Sequence, residues 1–378
     1  MRPASEAERA RLAETFVELC RIDSSFGRER ACSQRVAAEL RGMGLEVTED
    51  DAAAASGAEC GNLLARIAGR ADRSILFCAH LDTVEATAPI DPVIIDGGWE
   101  NTHDGILGAD NKAAVAVMLE VARRAALEGA PVGLELLFTV SEENALAGVK
   151  AFDADSLRSE FGYVFDHASP IGQIVTASPT YFRLAAEFHG RAAHAGVRPE
   201  AGRSAVVAAA HAIGAMPLGR LDAETTANVG SIAGGVGSTN VVPERCRLLA
   251  EARSLDPERV ETVMAQLVDA VHDGASFAEC DVDVVVERLF EGYKAKPSSP
   301  PVAVAEAALR ACGYEPTRIA TGGGSDANVL MAAGFPCVNL ANGTQHNHEP
   351  IERVSIAALE DMLDVAYELL EHAAAVPA

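Results

Sequence analysis

Four consecutive stretches of this chain set an imidazole or a carboxylate at the edge of an apolar run: His80, Asp110, the doublet Glu142-Glu143, and Asp166. Near the C-terminus, His346 and His348 add two more imidazoles. Imidazole and carboxylate together suit Zn²⁺, Co²⁺ or Mn²⁺, and one acid shared between two ions holds a two-metal site together. In the doublet, one glutamate can bind metal while its neighbour takes a proton from water. Asp82 follows His80 by two residues, near enough to hydrogen-bond the ring nitrogen that a metal leaves free. Each group has a plainer reading when taken singly. Asp110 suits a helix N-cap, Glu142-Glu143 a solvated turn, Asp166 a strand terminus and His348 a loop hydrogen bond. Their recurrence after successive strands is what favours a shared metal site.

An alternating α/β chain positions these groups. Ser74 to Ala79, Val132 to Val140 and Phe161 to Phe165 are near-continuous apolar runs, as buried parallel strands are. In open α/β sheets, ligands gather beyond the carboxyl ends of the strands, where His80, Glu142, Glu143 and Asp166 fall. Asn62 to Ile67 is predicted as a strand neighbouring Ser74 to Ala79 across the turn at Gly69 to Arg73. Helices are predicted over Glu6–Leu19, Glu29–Arg41 and Ala113–Leu127, and a loop with short strands over Glu85–Thr102. From Ser178 the pattern becomes strand, helix, strand, strand, helix, strand, which is the ferredoxin-like order. Helix Pro301–Cys312, strand Pro336–Leu340 and helix Ser355–His372 then return to the first domain.

A chain of 378 residues is long for one core and comfortable for two. With 49% hydrophobic and 23% charged residues it is globular rather than disordered. The formal charge, 31 − 55 = −24, repels phosphate backbones and anionic lipid, which argues against nucleic acid and membrane as partners. No apolar run reaches membrane-spanning length and the opening stretch has no signal-type core, so a cytoplasmic protein is expected. Eight scattered cysteines without CxxC pairing are expected to be reduced and mostly buried. Neither GxGxxG nor a P-loop stands at a strand-to-helix turn, which sets nucleotide binding aside.

His80-Leu81-Asp82, Gly108-Ala109-Asp110-Asn111-Lys112, Ser141-Glu142-Glu143-Asn144, Tyr163-Val164-Phe165-Asp166 and His348-x₃-Glu352 together resemble the co-catalytic zinc peptidases of the M20 family. Within it, the tripeptide aminopeptidases of the peptidase T group are the most similar. The resemblance runs over essentially the whole chain. It implies a discontinuous catalytic domain, residues 1–177 and 291–378, built as an α/β/α sandwich of the zinc-exopeptidase type around a mostly parallel sheet. It also implies an inserted ferredoxin-like lid and dimerisation domain over residues 178–290. By the family pattern Asp110 bridges two zinc ions, with Co or Mn as substitutes. Glu143 and His348 would complete one site, and His80 with Asp166 the other. Asp82 would orient His80, and Glu142 would be the general base. Spacing to Glu352 favours His348 over His346. Asn111 departs from the second Asp common in the family, which implies altered hydrogen bonding around the ligands and no loss of metal.

In the inserted segment the same resemblance gives His194, from the lid of a partner subunit, the role of donor to the oxyanion, a contribution worth ~10²–10³ in rate. Ser238 to Pro243 resembles the family's substrate segment and points to Asn240. Arg253 is a candidate for the peptide's terminal carboxylate, with pairing to Asp256 or a surface acid as its plainer reading. Gly322 to Ala327 is expected as a tight turn before a helix, lining the site from the first domain. The implied activity is a zinc-dependent exopeptidase for short peptides, acting through a metal-bridged hydroxide with Glu142 as base, in a homodimer. Metals and base are shared with deacylases, dipeptidases and carboxypeptidases acting on N-acyl amino acids, so those remain the alternatives. The intact base and ligand positions argue against a non-catalytic homologue.

Overall fold

The computed structural model describes residues 2–168 and 170–375; the expected domain limits at residues 1 and 378 lie outside the described residues. Contacts divide the chain into two units. One comprises Met1–Ala177, Lys294–Thr321 and Ser325–Ala378, the other Ser178–Tyr293 with Gly322–Gly324.

The first unit is built on a nine-stranded sheet among the described residues. Its four central strands, Gly133–Thr139, Ser74–His80, Phe161–His167 and Cys337–Ala341, run parallel in that order. Leu63–Ile67 pairs antiparallel to Gly133–Thr139. This corrects the expected pairing of the strand at Asn62–Ile67 with Ser74–Ala79: Gly133–Thr139 lies between the two. A short turn need not make a hairpin when a third apolar strand can pair with both of its arms, as Leu134, Leu136 and Phe138 do here.

Both faces of the central strands are covered. Ile75, Phe77 and Ala79 enter the main core, while Cys78 on the opposite face meets Asp326 of the helix Asp326–Ala332. The helix Ala109–Glu128 is buried nearly all round from Ala109 to Ala122, which explains its run of Ala and Val. It packs against the sheet and against the helices Glu6–Cys20 and Ile356–Ala374. No helix among the described residues is long and apolar enough to cross a membrane. All eight cysteines are free, and six of them are buried.

The second unit is an antiparallel five-stranded sheet in the order Gly219–Arg220, Thr225–Gly234, Arg245–Ser254, Thr180–His189 and Asp281–Phe290. Along Arg245–Ser254 buried residues alternate with more exposed ones, and the helices Ala205–Ala215 and Pro257–Phe277 contribute the rest of its core. The two helices meet at Gly274, where an added Cβ would lie 2.4 Å from the Ala208 carbonyl. Gly322–Gly324 belong to this unit, which corrects their expected place in the first domain. The reason is steric: a Cβ on Gly324 would fall 2.3 Å from the Phe290 ring.

One buried ion-pair cluster ties the N-terminal helix to the rest of the first unit. Arg124 donates to both Glu8 oxygens at 2.7 and 2.9 Å, and its guanidinium stacks 3.3 Å from the Tyr367 ring centre. Burial by itself raises the Glu8 carboxyl, but hydrogen bonds from Arg124, Arg2 and Ser5 outweigh it and hold the group well below its usual range. A depressed folded-state pKa stabilises above the unfolded-state value of about 4.3 and ceases to do so as pH falls toward the folded value. Glu8→Gln strands the buried Arg124 and is expected to cost on the order of 3 kcal/mol at pH 7. In urea melts this gap from wild type should hold down to about pH 5 and narrow below it; a gap that widens in acid would refute the assignment.

Candidate metal centre

His80 ends the strand Ser74–His80 and is 1% exposed. Its Nδ1 donates to the Asp82 main-chain carbonyl at 2.9 Å, which leaves Nε2 of the neutral ring as the ligand atom. Asp82 therefore orients the ring through its backbone and not through its carboxylate, which corrects the expected contact; Oδ1 lies 3.6 Å away. The carboxylate is already occupied, accepting the N–H groups of Glu142 and Glu143, each at 3.0 Å. Ser141, in the left-handed region at φ 53°, turns the chain there.

Asp110 opens the helix Ala109–Glu128 with non-helical φ −82° and ψ 102°. Its two oxygens face opposite partners. Oδ1 lies 3.3 Å from His80 Nε2, and Oδ2 lies 3.4 Å from His348 Nε2. Asp166 Oδ1 lies 3.4 Å from His80 Nε2, and Glu143 Oε1 lies 2.9 Å from His348 Nε2. The Glu143 contact is a close approach without hydrogen-bond geometry, since that oxygen has no hydrogen-bond partner among the described residues. His346 turns instead to Glu349, 3.8 Å away. The carboxylate of Glu142 comes within reach of His80 and Asp166, so the geometry admits it as a ligand as well as a base.

The electrostatics follow from packing four carboxylates around two imidazoles. Burial pulls His80 down, but Asp166, Asp110 and Asp82 outweigh it and hold the ring well above its usual range. The close carboxylates of Asp110 and Glu143 lift His348 to about 10. Burial raises Glu142, Glu143 and Asp166, and for each a neighbouring acid adds to it. Burial pushes Asp110 the same way, but His348 and His80 overcome it and hold this carboxyl well below its usual range. Divalent cations are the natural counter-charge for such a set. Around a tetrahedral ion with bonds of about 2.0–2.1 Å, ligand atoms sit roughly 3.3–3.4 Å apart. The separations of His80 from Asp110 and Asp166, and of His348 from Asp110, match that edge length. The donor set fits two ions sharing Asp110.

Two residues that hold the ligands were missed by sequence reasoning. Glu352, 2% exposed, entered only as a spacing mark for His348. Its carboxylate accepts the N–H groups of Leu107 and Gly108 at 2.8 Å and of Asp110 at 2.9 Å. Burial pushes it up to about 7 against those donors. Asn339 grips both main-chain groups of Asp166, at 2.9 and 2.8 Å. A polar residue inside the apolar strand Cys337–Ala341 was the available signal for it. Asn111 accepts from Asn342 at 3.4 Å, and its own Nδ2 is buried without a hydrogen-bond partner among the described residues.

The remaining candidates lie in the second unit. His194 is exposed, and its Nδ1 accepts the Gly196 N–H at 3.2 Å, which assigns the proton of the neutral ring to Nε2. Its segment pairs with Val241, and the Asn240 carbonyl accepts the Ala195 N–H at 2.8 Å. Arg253 makes two contacts of 3.1 Å with Glu251, lies 4.0 Å over the Tyr181 ring and donates to the Gly322 carbonyl at 3.2 Å. Asp256 instead caps the helix Pro257–Phe277, so the partner of Arg253 is Glu251.

Residues 180–277 match the family model for a peptidase dimerisation domain, and residues 62–172 that for peptidase family M28. The chain is 36% identical to the uncharacterized protein YqjE of Bacillus subtilis (strain 168) over 366 residues, 96% of this chain and 98% of that one. Aminopeptidase PepT from Bacillus cereus ATCC 10987 is 37% identical, with a TM-score of 0.86 over 97% of this chain and 99% of that one. A tripeptidase from Staphylococcus aureus is 33% identical, with a TM-score of 0.91 over the same shares, 97% and 99%.

The Glu352 contacts carry a prediction. Glu352→Ala strands three buried N–H donors at about 1–3 kcal/mol each, and should lower the urea midpoint and weaken metal retention by roughly 10–100-fold. Glu352→Gln, which keeps one acceptor oxygen, should fall between. Equal urea midpoints for wild type and Glu352→Ala would remove Glu352 from this role.

Proposed function

The chain belongs to the M20 family of metallopeptidases, close to peptidase T, and we propose that it is a two-metal exopeptidase hydrolysing short peptides, tripeptides among them. The observation that carries this reading is the two-sided Asp110 carboxylate, with one oxygen toward His80 and the other toward His348. On it we assign Asp110 as the bridge, Glu143 and His348 to one position, and His80 and Asp166 to the other. Zinc is the metal the mixed imidazole and carboxylate set suits best, with Co or Mn able to replace it. When bound, the ions would supply Lewis acidity toward the scissile carbonyl and lower the pKa of water to near neutrality.

The chain's own groups do the rest. Glu142, raised by burial and by Asp166, is basic enough to take the proton of the attacking water and pass it to the leaving amine. Asp82 holds the turn that presents Glu142, through the same carboxylate that fixes Glu143. His194, whose Nε2 carries the proton, donates to the developing oxyanion from a partner subunit. The match of residues 180–277 to a dimerisation domain supports a homodimer. We take residues 1–177 and 291–378 as the catalytic body and 178–290 as the lid, with Asn240 and Arg253 holding the substrate. Free cysteines suit a reducing compartment, in keeping with action in the cytoplasm.

Metal analysis joined to a tripeptide assay tests this. Chelation should abolish tripeptide cleavage and Zn²⁺ should restore it. Glu142→Gln should stay folded and metal-loaded while turnover falls by roughly 10²–10⁴. Retained turnover in that variant would end the base assignment, and lost metal would make Glu142 a ligand. Faster cleavage of N-acyl amino acids than of tripeptides would move the substrate to the deacylases.

A further inference from the structure

Asp110 Oδ2 has a neighbour that neither proposed ligand set requires. Asn347 donates its Nδ2–H to that oxygen at 2.8 Å, closer than the 3.3 and 3.4 Å separations of Asp110 from His80 and His348. A carboxylate only accepts, so the amide nitrogen must be the end that faces it. The other end, Oδ1, is buried with no hydrogen-bond partner among the described residues. The flanking His346 and His348 both sit in the left-handed region, at φ 56° and 68°. Non-glycine residues hold that conformation only where their surroundings impose it.

Glu352 anchors the Asp110 main chain, but a fixed backbone leaves the carboxylate free to turn about its Cβ–Cγ bond. A bridging carboxylate must present one oxygen to each side at once, and nothing in the grip on the backbone enforces that. A donor fixed on Oδ2 does. We propose that Asn347 is a positioning residue: its amide locks the Asp110 carboxylate with Oδ2 toward His348 and Glu143, and so sets metal affinity on the His348 side and not on the His80 side. The proposal rests on the two-metal reading above. Because the amide has this single partner among the described residues, its removal acts on the carboxylate.

Co²⁺ titration of the chelator-stripped full chain, followed by visible absorption, separates the two positions. His80→Ala leaves the His348 side and His348→Ala leaves the His80 side. Adding Asn347→Leu, which fills the same space without a donor, should weaken Co²⁺ binding about 10–100-fold in the His80→Ala background. In the His348→Ala background the change should stay within about twofold, because the oxygen that Asn347 holds is not the one that faces His80. Asn347→Ala should repeat the pattern. Equal losses in both backgrounds, or no loss in either, would overturn the proposal. So would full affinity with Leu and a loss only with Ala, which would make the role one of packing. Wild-type protein that fails to take up two equivalents of Co²⁺ sinks the two-metal reading itself and this proposal with it. Uptake of two equivalents with an indifferent Asn347 sinks only the latter.

Discussion

Negative charge gathered in a dry place is the constraint on which the first unit depends. Asp110, Glu142, Glu143 and Asp166 come together around His80 and His348 at the carboxyl edge of a sheet whose strands are otherwise apolar. Isolated ionised carboxylates are costly to bury, and several in contact repel one another. They stay assembled because each is tied by its backbone or its side chain to something the core cannot move. Asp82 ties Glu142 and Glu143, Asn339 ties Asp166, and Glu352 ties Asp110. These contacts fix the main chain of the cluster and leave the orientation of each side chain to its own partners.

The sheet supplies the common frame. Ser74–His80 pairs in parallel with both Gly133–Thr139 and Phe161–His167, in a register that sets His80 beside Thr139. Glu142, Glu143 and Asp166 therefore emerge at one level. The last ligand segment arrives differently. His348 follows the parallel strand Cys337–Ala341, and Glu352 then reaches back across 242 residues of sequence to the Asp110 N–H. Long-range contacts of this kind cost loop entropy, but slowly with length, so distant segments can be joined cheaply once the sheet has formed.

The parts of this structure visible in the sequence are those with a period or a residue type. Apolar runs marked the central strands, and imidazole or acid after each run marked the cluster. Pairing was less visible, because a run such as Leu63–Ile67 records burial and not its neighbour; Gly133–Thr139 sits where a hairpin partner was expected. Nor does residue type reveal which atom of a residue acts. Asp82 looked like a side-chain partner for His80 and serves through its carbonyl, because two nearby N–H groups take its carboxylate first. For Glu352 the only local sign is its spacing from His348. Its partners are backbone groups, which every residue owns, so only the folded chain shows why an acid stands there.

The polar residues around the ligands share one property. Asn111, Asn339, Asn342 and Asn347 are all amides, and all touch a ligand, its main chain or one another. An acid at any of these positions would add to a cluster already rich in carboxylates, whereas an amide offers a donor and an acceptor without charge. This gives physical content to Asn111, where the family resemblance leads one to expect a second Asp. Next to Asp110, whose own charge is stabilised by two imidazoles, a second buried carboxylate would bring its own desolvation cost. The asparagine keeps the shape of the acid and adds no charge beside Asp110.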